Sequence, residues 1–177
     1  MPILLKNTVF IHWETLEMSP ETIFIEEGKG GKVFWGQEAL NKAAHSPCLV
    51  IDCSGKFVTK SFVNAHHHAY SALARGMPAP AKQAQNFTQI LEYIWWNLDK
   101  CLDEQLIEYS ALATALACAK AGVTFVIDHH ASPFCVSGSL EIIADAFDKV
   151  GVAHLLCYEI SDRDGLDIAK KGLLETE

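Results

Sequence analysis

The chain has 177 residues, half of them hydrophobic, and 14 Lys and Arg against 22 Asp and Glu give a formal net charge of −8. No apolar run is long enough to span a bilayer, and an acidic balance without a basic stripe argues against nucleic-acid binding through phosphate contacts. Neither a membrane nor a nucleic acid is an expected partner. The start, Met1 to Asn7, lacks the basic segment, longer apolar core and cleavage site of a secretory leader, so a cytoplasmic location is expected. Six cysteines (48, 53, 101, 118, 135 and 157) form no Cys-x-x-Cys pair. They read as buried free thiols rather than a disulfide framework, and their irregular spacing disfavours a zinc-storage or redox protein.

Residues 1–60 read as a β-rich module. Ile3–Leu5, Thr8–Ile11, Thr22–Glu26, Lys32–Trp35 and Cys48–Asp52 are short β-prone runs, punctuated by Ser19-Pro20 and Gly28-Lys29-Gly30-Gly31. They predict a small sheet or half-sandwich, with a single helical turn near Gln37–Ala44.

From Phe62 onward, strands and helices alternate. A strand over Phe62–His66 leads through a long loop to a helix over about Phe87–Lys100, where Ile90, Leu91, Ile94, Trp95 and Leu98 recur at helical spacing. Asp103-Glu104 begins an Ala/Leu-rich helix that Gly122 stops. Val123–Asp128 is a β-branched run typical of a strand covered on both faces. Ser139 is expected to cap a helix over Leu140–Val150, Val152–Glu159 to form a third strand, and Asp167 to open a further helix.

This order is βαβαβ, so the fold class is α/β with parallel strands. Three parallel strands leave open edges. A complete (β/α)₈ TIM barrel needs roughly 250 residues, and 117 follow Lys60 here. Residues 61–177 are therefore expected to form about three βα units, the N-terminal portion of a truncated barrel.

The most informative stretch closes the first of these strands: Phe62-Val63-Asn64-Ala65-His66-His67-His68. Alternate side chains of a strand share a face, so His66 and His68 point together and His67 points away. Two neutral imidazoles on one face are half of a divalent-metal site, with zinc or iron the expected ion. The competing reading is a pair of strand histidines satisfied by hydrogen bonds.

These residues resemble the amidohydrolase superfamily, whose members carry a strand ending in His-x-His. The similarity is strongest to the chlorohydrolase and cytosine/guanine-deaminase-like branch, in particular the SsnA-type aminohydrolases. It runs through Gly55-Lys56-Phe57-Val58, Tyr70-Ser71-x-Leu73-Ala74-Arg75-Gly76, Leu91-x-x-Ile94-Trp95-Trp96-x-Leu98-Asp99, Val126–Pro133 and Asp162-Arg163-Asp164-Gly165. Lys60-Ser61 stands where the family usually has Pro-Gly. The resemblance implies a composite β-sandwich beside a metal-binding barrel, and a metal-bound hydroxide that displaces an amine, amide or halide from a small molecule. It assigns His66 and His68 to the first two metal ligands. The remaining ligands of such proteins come from later strands, so no complete catalytic set is expected in this chain.

Other candidates are weaker. Asn64 shares the face of His66 and would orient it, or has no role. One of His129 and His130 is expected to line a substrate pocket, the alternative being a hydrogen-bonded loop histidine. Glu159 would bind an amino or cationic group, or else pair with Arg163. Trp95 would cap the pocket, or simply fill the core.

Two functional readings follow. The first is a fragment of a metal-dependent amidohydrolase, deaminase-like, acting on C–N or C–Cl bonds of small cyclic compounds and inactive by itself. The second is a non-catalytic remnant or subunit whose open edges are completed by another chain, either a complementing C-terminal half or a second copy.

Overall fold

The computed structural model describes residues 1–28 and 30–177; Lys29, in the glycine-rich punctuator, lies outside the described residues. The chain divides into two compact units, Met1–Lys60 and Ser61–Glu177.

The first unit is a five-stranded mixed sheet. Its central strand β1 (Ile3–Ile11) pairs antiparallel with β2 (Met18–Ile25), to which β3 (Val33–Trp35) adds antiparallel. The strands β4 (Leu49–Asp52) and β5 (Phe57–Val58) lie parallel to β1. The two runs expected at Ile3–Leu5 and Thr8–Ile11 are one strand broken by a bulge, because Asn7 sits at φ 57 and the register skips between Leu5 and Thr8. Asparagine tolerates that left-handed conformation better than most residues. Helix α1 (Gly36–His45) is ten residues long rather than a single turn. Its run of Gln, Glu, Ala, Leu and Lys favours helix, and Ala39 buries against Leu4 and Phe24.

The second unit is a sheet of three parallel strands, β6 (Phe62–His67), β7 (Val123–His130) and β8 (Ala153–Tyr158), in that order. Between β6 and β7 come α2 (Phe87–Ile90), a π-helical turn at Leu91–Trp95, α3 (Trp96–Lys100) and α4 (Glu104–Lys120). Helix α5 (Ser139–Val150) connects β7 to β8, and α6 (Leu166–Thr176) follows. The sequence suggested an uninterrupted helix over 87–100. The π turn arises where Asn97 Nδ2 donates to the carbonyls of Tyr93 (2.9 Å) and Glu92 (3.2 Å), drawing bonds away from the regular ladder.

Local chemistry sets the helix ends. Asp103 accepts the Leu106 N–H at 2.8 Å and caps α4, which Gly122 ends at φ 75. Ser139, expected as a cap, is instead the first residue of α5. Gly138, at φ 81, occupies the cap position and has no side chain to offer. The Glu175 carboxylate, reaching over from α6, accepts the N–H groups of Gly138 and Leu140, both at 2.9 Å.

Burial along β7 alternates. Val126, Asp128 and His130 are buried on the helix side, where Ile107, Ala111 and Ala115 of α4 and Ile143, Ala146 and Phe147 of α5 form the core with Val126. Phe125, Ile127 and His129 face the other way and stay partly exposed. All six cysteines are free, but only Cys53 and Cys118 are buried. Cys101 is exposed because it lies where α3 ends and the chain turns towards α4, outside either core.

Candidate metal and substrate site

His66 and His68 project from the end of β6 on the open face of the sheet. Their Nε2 atoms are 3.2 Å apart, with ring centroids 5.1 Å apart and planes at 77°. His67 points to the helix layer instead, its Nε2 3.4 Å from Thr114 Oγ1 on α4. Burial and the nearby His68 and His66 hold the His67 imidazole below the usual histidine range.

The tautomer of His68 follows from its partner. Nδ1 lies 3.0 Å from the carbonyl oxygen of His129, which can only accept, so Nδ1 carries the proton and Nε2 presents its lone pair. With His68 Nε2 as the acceptor, the 3.2 Å contact is a hydrogen bond donated by His66 Nε2–H. With His66 in its other tautomer, the same separation suits neighbouring nitrogens on one tetrahedral ion, given zinc–imidazole bonds of about 2.0–2.1 Å. The donor pair therefore fits a divalent metal. It is only a pair: among the described residues, no group of three or more His, Cys, Asp or Glu is placed to hold an ion.

Around it, the side chains divide by face. His129 joins the open face, its ring 5.4 Å from that of His68, and the residues lining the depression there include His66, His68, Ile127, His129 and Cys157, with His67 and Asp128 also contributing to its wall. Burial, then the neighbouring His68, lowers the pKa of His129, favouring the neutral ring. Trp95, on the π turn, sets its ring 5.6 Å from His68 and 6.1 Å from Tyr70. The Asn64 side chain accepts the backbone N–H of His66 at 3.4 Å, so it meets the main chain and not the imidazole.

His130 does not reach this face. It is fully buried between Tyr70 and Tyr158, and alternation from His129 dictates that placement. Ser132 Oγ donates to the Cys135 carbonyl at 2.6 Å, so it accepts from His130 Nε2–H at 2.9 Å. Burial, then the neighbouring His129 imidazole, depresses the His130 pKa to about 3. Glu159 is already engaged: Arg163 binds it at 2.5 Å and Asp99 at 2.6 Å while stacking over Trp96. That is the ion pair that stood as the alternative to substrate binding.

Sequence reasoning gave Asp128 no role. It is buried, its Oδ1 accepts the Ala69 N–H at 2.6 Å, and burial raises its pKa to about 6 despite that bond. A carboxylate in register with Val126 on the covered face of an apolar strand was the available signal, since acids are seldom buried without a purpose.

No family model matches the chain. Curated relatives do: deaminases of 5-methylthioadenosine/S-adenosylhomocysteine from Thermococcus sibiricus (29% identical over 162 residues) and Thermococcus onnurineus (32% over 162). Each alignment covers 92% of this chain and 34% of the relative. Among solved structures, a triazine hydrolase variant superposes with a TM-score of 0.67 at 20% identity, covering 89% of this chain and 35% of its own. Guanine deaminase from Bradyrhizobium japonicum gives 0.67 at 12% identity, covering 98% and 40%. By sequence, the chain is similar to curated deaminases of the amidohydrolase superfamily. It spans about a third to two fifths of the length of these amidohydrolases. A further similar structure is a mutant atrazine chlorohydrolase from Arthrobacter aurescens TC1 complexed with zinc and atraton, with a TM-score of 0.66 at 19% identity.

Proposed function

We propose that this chain supplies the first part of a metal-dependent amidohydrolase: a β-sandwich portion from residues 1–60 and the opening three βα units of a barrel from 61–177. The reaction class is hydrolysis of a C–N, or C–Cl, bond in a small cyclic compound. Deamination of a purine nucleoside is favoured, as the names of the curated relatives suggest. The single observation that carries this reading is the 3.2 Å approach of His66 Nε2 to His68 Nε2, with His68 Nδ1–H held by the His129 carbonyl.

His66 and His68 would hold the divalent ion, zinc or iron, through Nε2. When bound, such an ion supplies a hydroxide near neutral pH by lowering the pKa of its water towards ~7. Trp95 offers an aromatic face beside His68 for a planar ring, and neutral His129 offers a donor or acceptor on the same face. Two imidazoles leave a zinc coordination shell unfilled. The chain alone should therefore bind metal weakly and turn over methylthioadenosine little or not at all.

The test is a zinc titration of the purified chain against a chromophoric chelator. His66→Ala and His68→Ala should each abolish measurable binding, whereas His67→Ala should retain it. Equal losses in all three variants would refute the assignment.

A second reading is supported by the open face of the sheet. Val63 is 61% exposed on β6 and Leu155 58% on β8, and each of these strands has one edge unpaired among the described residues. Another polypeptide, a second copy or a complementing segment, would cover them. Light scattering after size exclusion discriminates: a defined oligomer that Leu155→Lys disperses supports it, and a stable monomer argues against it.

A further inference from the structure

The peptide that joins His68 to Ala69 is pinned at both ends. Its carbonyl, on His68, accepts the Ser71 N–H at 3.0 Å and the Ser71 hydroxyl at 2.8 Å. Its N–H, on Ala69, donates to Asp128 Oδ1 at 2.6 Å. Meanwhile the residue after Asp128 presents the carbonyl that holds His68 Nδ1. One strand, β7, thus grips both the ring of His68, through its backbone, and the peptide of His68, through a side chain.

The chemistry at position 128 is costly unless that bond matters. Asp128 is 1% exposed, and its Oδ2 has no hydrogen-bond partner among the described residues. An aliphatic residue there would join the buried row begun by Val126 and avoid desolvating a carboxyl group. What it could not do is satisfy the buried Ala69 N–H, which would then be orphaned or would draw the turn at Ala69–Ser71 out of place.

We propose that Asp128 is a positioning residue: by holding the Ala69 N–H, its carboxylate fixes the backbone of His68 so that Nε2 faces that of His66. The inference rests on the metal reading of the pair for its functional meaning. The positional claim itself concerns only this chain's side chains. Asp128 touches neither imidazole through a hydrogen bond and is not assigned a direct part in chemistry.

Asp128→Asn and Asp128→Leu separate the alternatives, because the two replacements are close in shape and only asparagine retains an acceptor. Two readouts on the full chain are required. The first is ¹⁵N-resolved histidine NMR, which reports the His68 tautomer and the proton contacts between the His66 and His68 rings. The second is zinc affinity, with the melting temperature as a check on folding. Asp128→Asn should keep the parent tautomer and ring contacts and bind zinc within about threefold of the parent. Asp128→Leu should lose the single tautomer and the ring contacts, and weaken zinc binding ~10–100-fold, the usual effect of removing a group that orients a ligand. If Asp128→Leu fails to fold, Asp128→Ala, which also lacks the acceptor, replaces it.

A folded Asp128→Leu or Asp128→Ala with the parent's histidine spectrum overturns the proposal, as does an Asp128→Asn variant as impaired as Asp128→Leu. If the parent binds no zinc but the histidine spectra diverge as expected, the metal reading fails and the positioning role stands.

Discussion

Replacing His130 by Gln should remove an acid-destabilising contribution from the stability curve of the second unit. His130 is fully buried and bonded to Ser132 Oγ, and its folded-state pKa is depressed to about 3. In the unfolded chain it titrates near ~6.5. Between these values the unfolded state binds the extra proton, so stability falls as pH falls. The contribution is complete above about pH 6.5 and is lost progressively towards pH 3. At pH 5 the chain lies roughly 1.5 units below the unfolded pKa, and at ~1.4 kcal/mol per unit the loss relative to pH 7.5 is ~2 kcal/mol.

Buried Asp128 has the opposite slope. Its pKa is raised to about 6, so it favours the folded state below the ordinary carboxylate range and loses that contribution as pH rises through about 6. In the parent, the two slopes largely mask each other between pH 4 and 6. Comparing parent and His130→Gln at each pH removes Asp128 and every other shared group from the difference.

The assay is urea unfolding at pH 7.5 and 5.0, followed by tryptophan fluorescence in a Trp13→Phe, Trp35→Phe background. Emission then comes from Trp95 and Trp96 of the second unit alone. The stability gap between parent and variant should shrink by ~2 kcal/mol on going to pH 5. Parallel pH curves for the two proteins would refute the reasoning.

Three further outcomes are expected in the same assay. Gly172→Ala should destabilise by about 1 kcal/mol although alanine is the better helix former, because its Cβ would stand 2.8 Å from Tyr158 Cδ1 and 3.0 Å from the Glu159 carbonyl oxygen; a stabilised variant would show that α6 can shift freely. Glu175→Ala should cost about 1–2 kcal/mol by orphaning the Gly138 and Leu140 N–H groups at the start of α5, and no change would mean water replaces the carboxylate. Arg163→Met should cost about 3–5 kcal/mol by leaving Asp99, 2% exposed, without its cation. Adding Asp99→Asn should recover part of that loss, and additive losses would deny the pairing.

The fold was legible where one period dominated. Val123–Asp128 and the Ala/Leu-rich helix before Gly122 announced parallel strands and their crossover, and the strand and helix appear at those places. The split of His67 from His66 and His68 followed from strand alternation alone, and Thr114 on one side and the paired Nε2 atoms on the other realise it. Reading failed where partners came from distant sequence. Nothing near Ser139 reveals that Glu175 will cap its helix; at Gln37–Ala44 the helix-favouring run was itself the signal for a helix longer than one turn.

The candidate site divides the same way. The amino-acid order by itself determined which imidazoles share a face, because the two-residue period of a strand is local geometry. Only the tertiary structure decided that His129 faces the pair while His130 is sealed beside Ser132, that Glu159 is occupied by Arg163, and that Asp128 grips the Ala69 N–H. Those are contacts between residues distant in sequence or turned by the packing around them. Their geometry is set by how β6, β7 and β8 register against one another and against the helices, which no short window of sequence encodes.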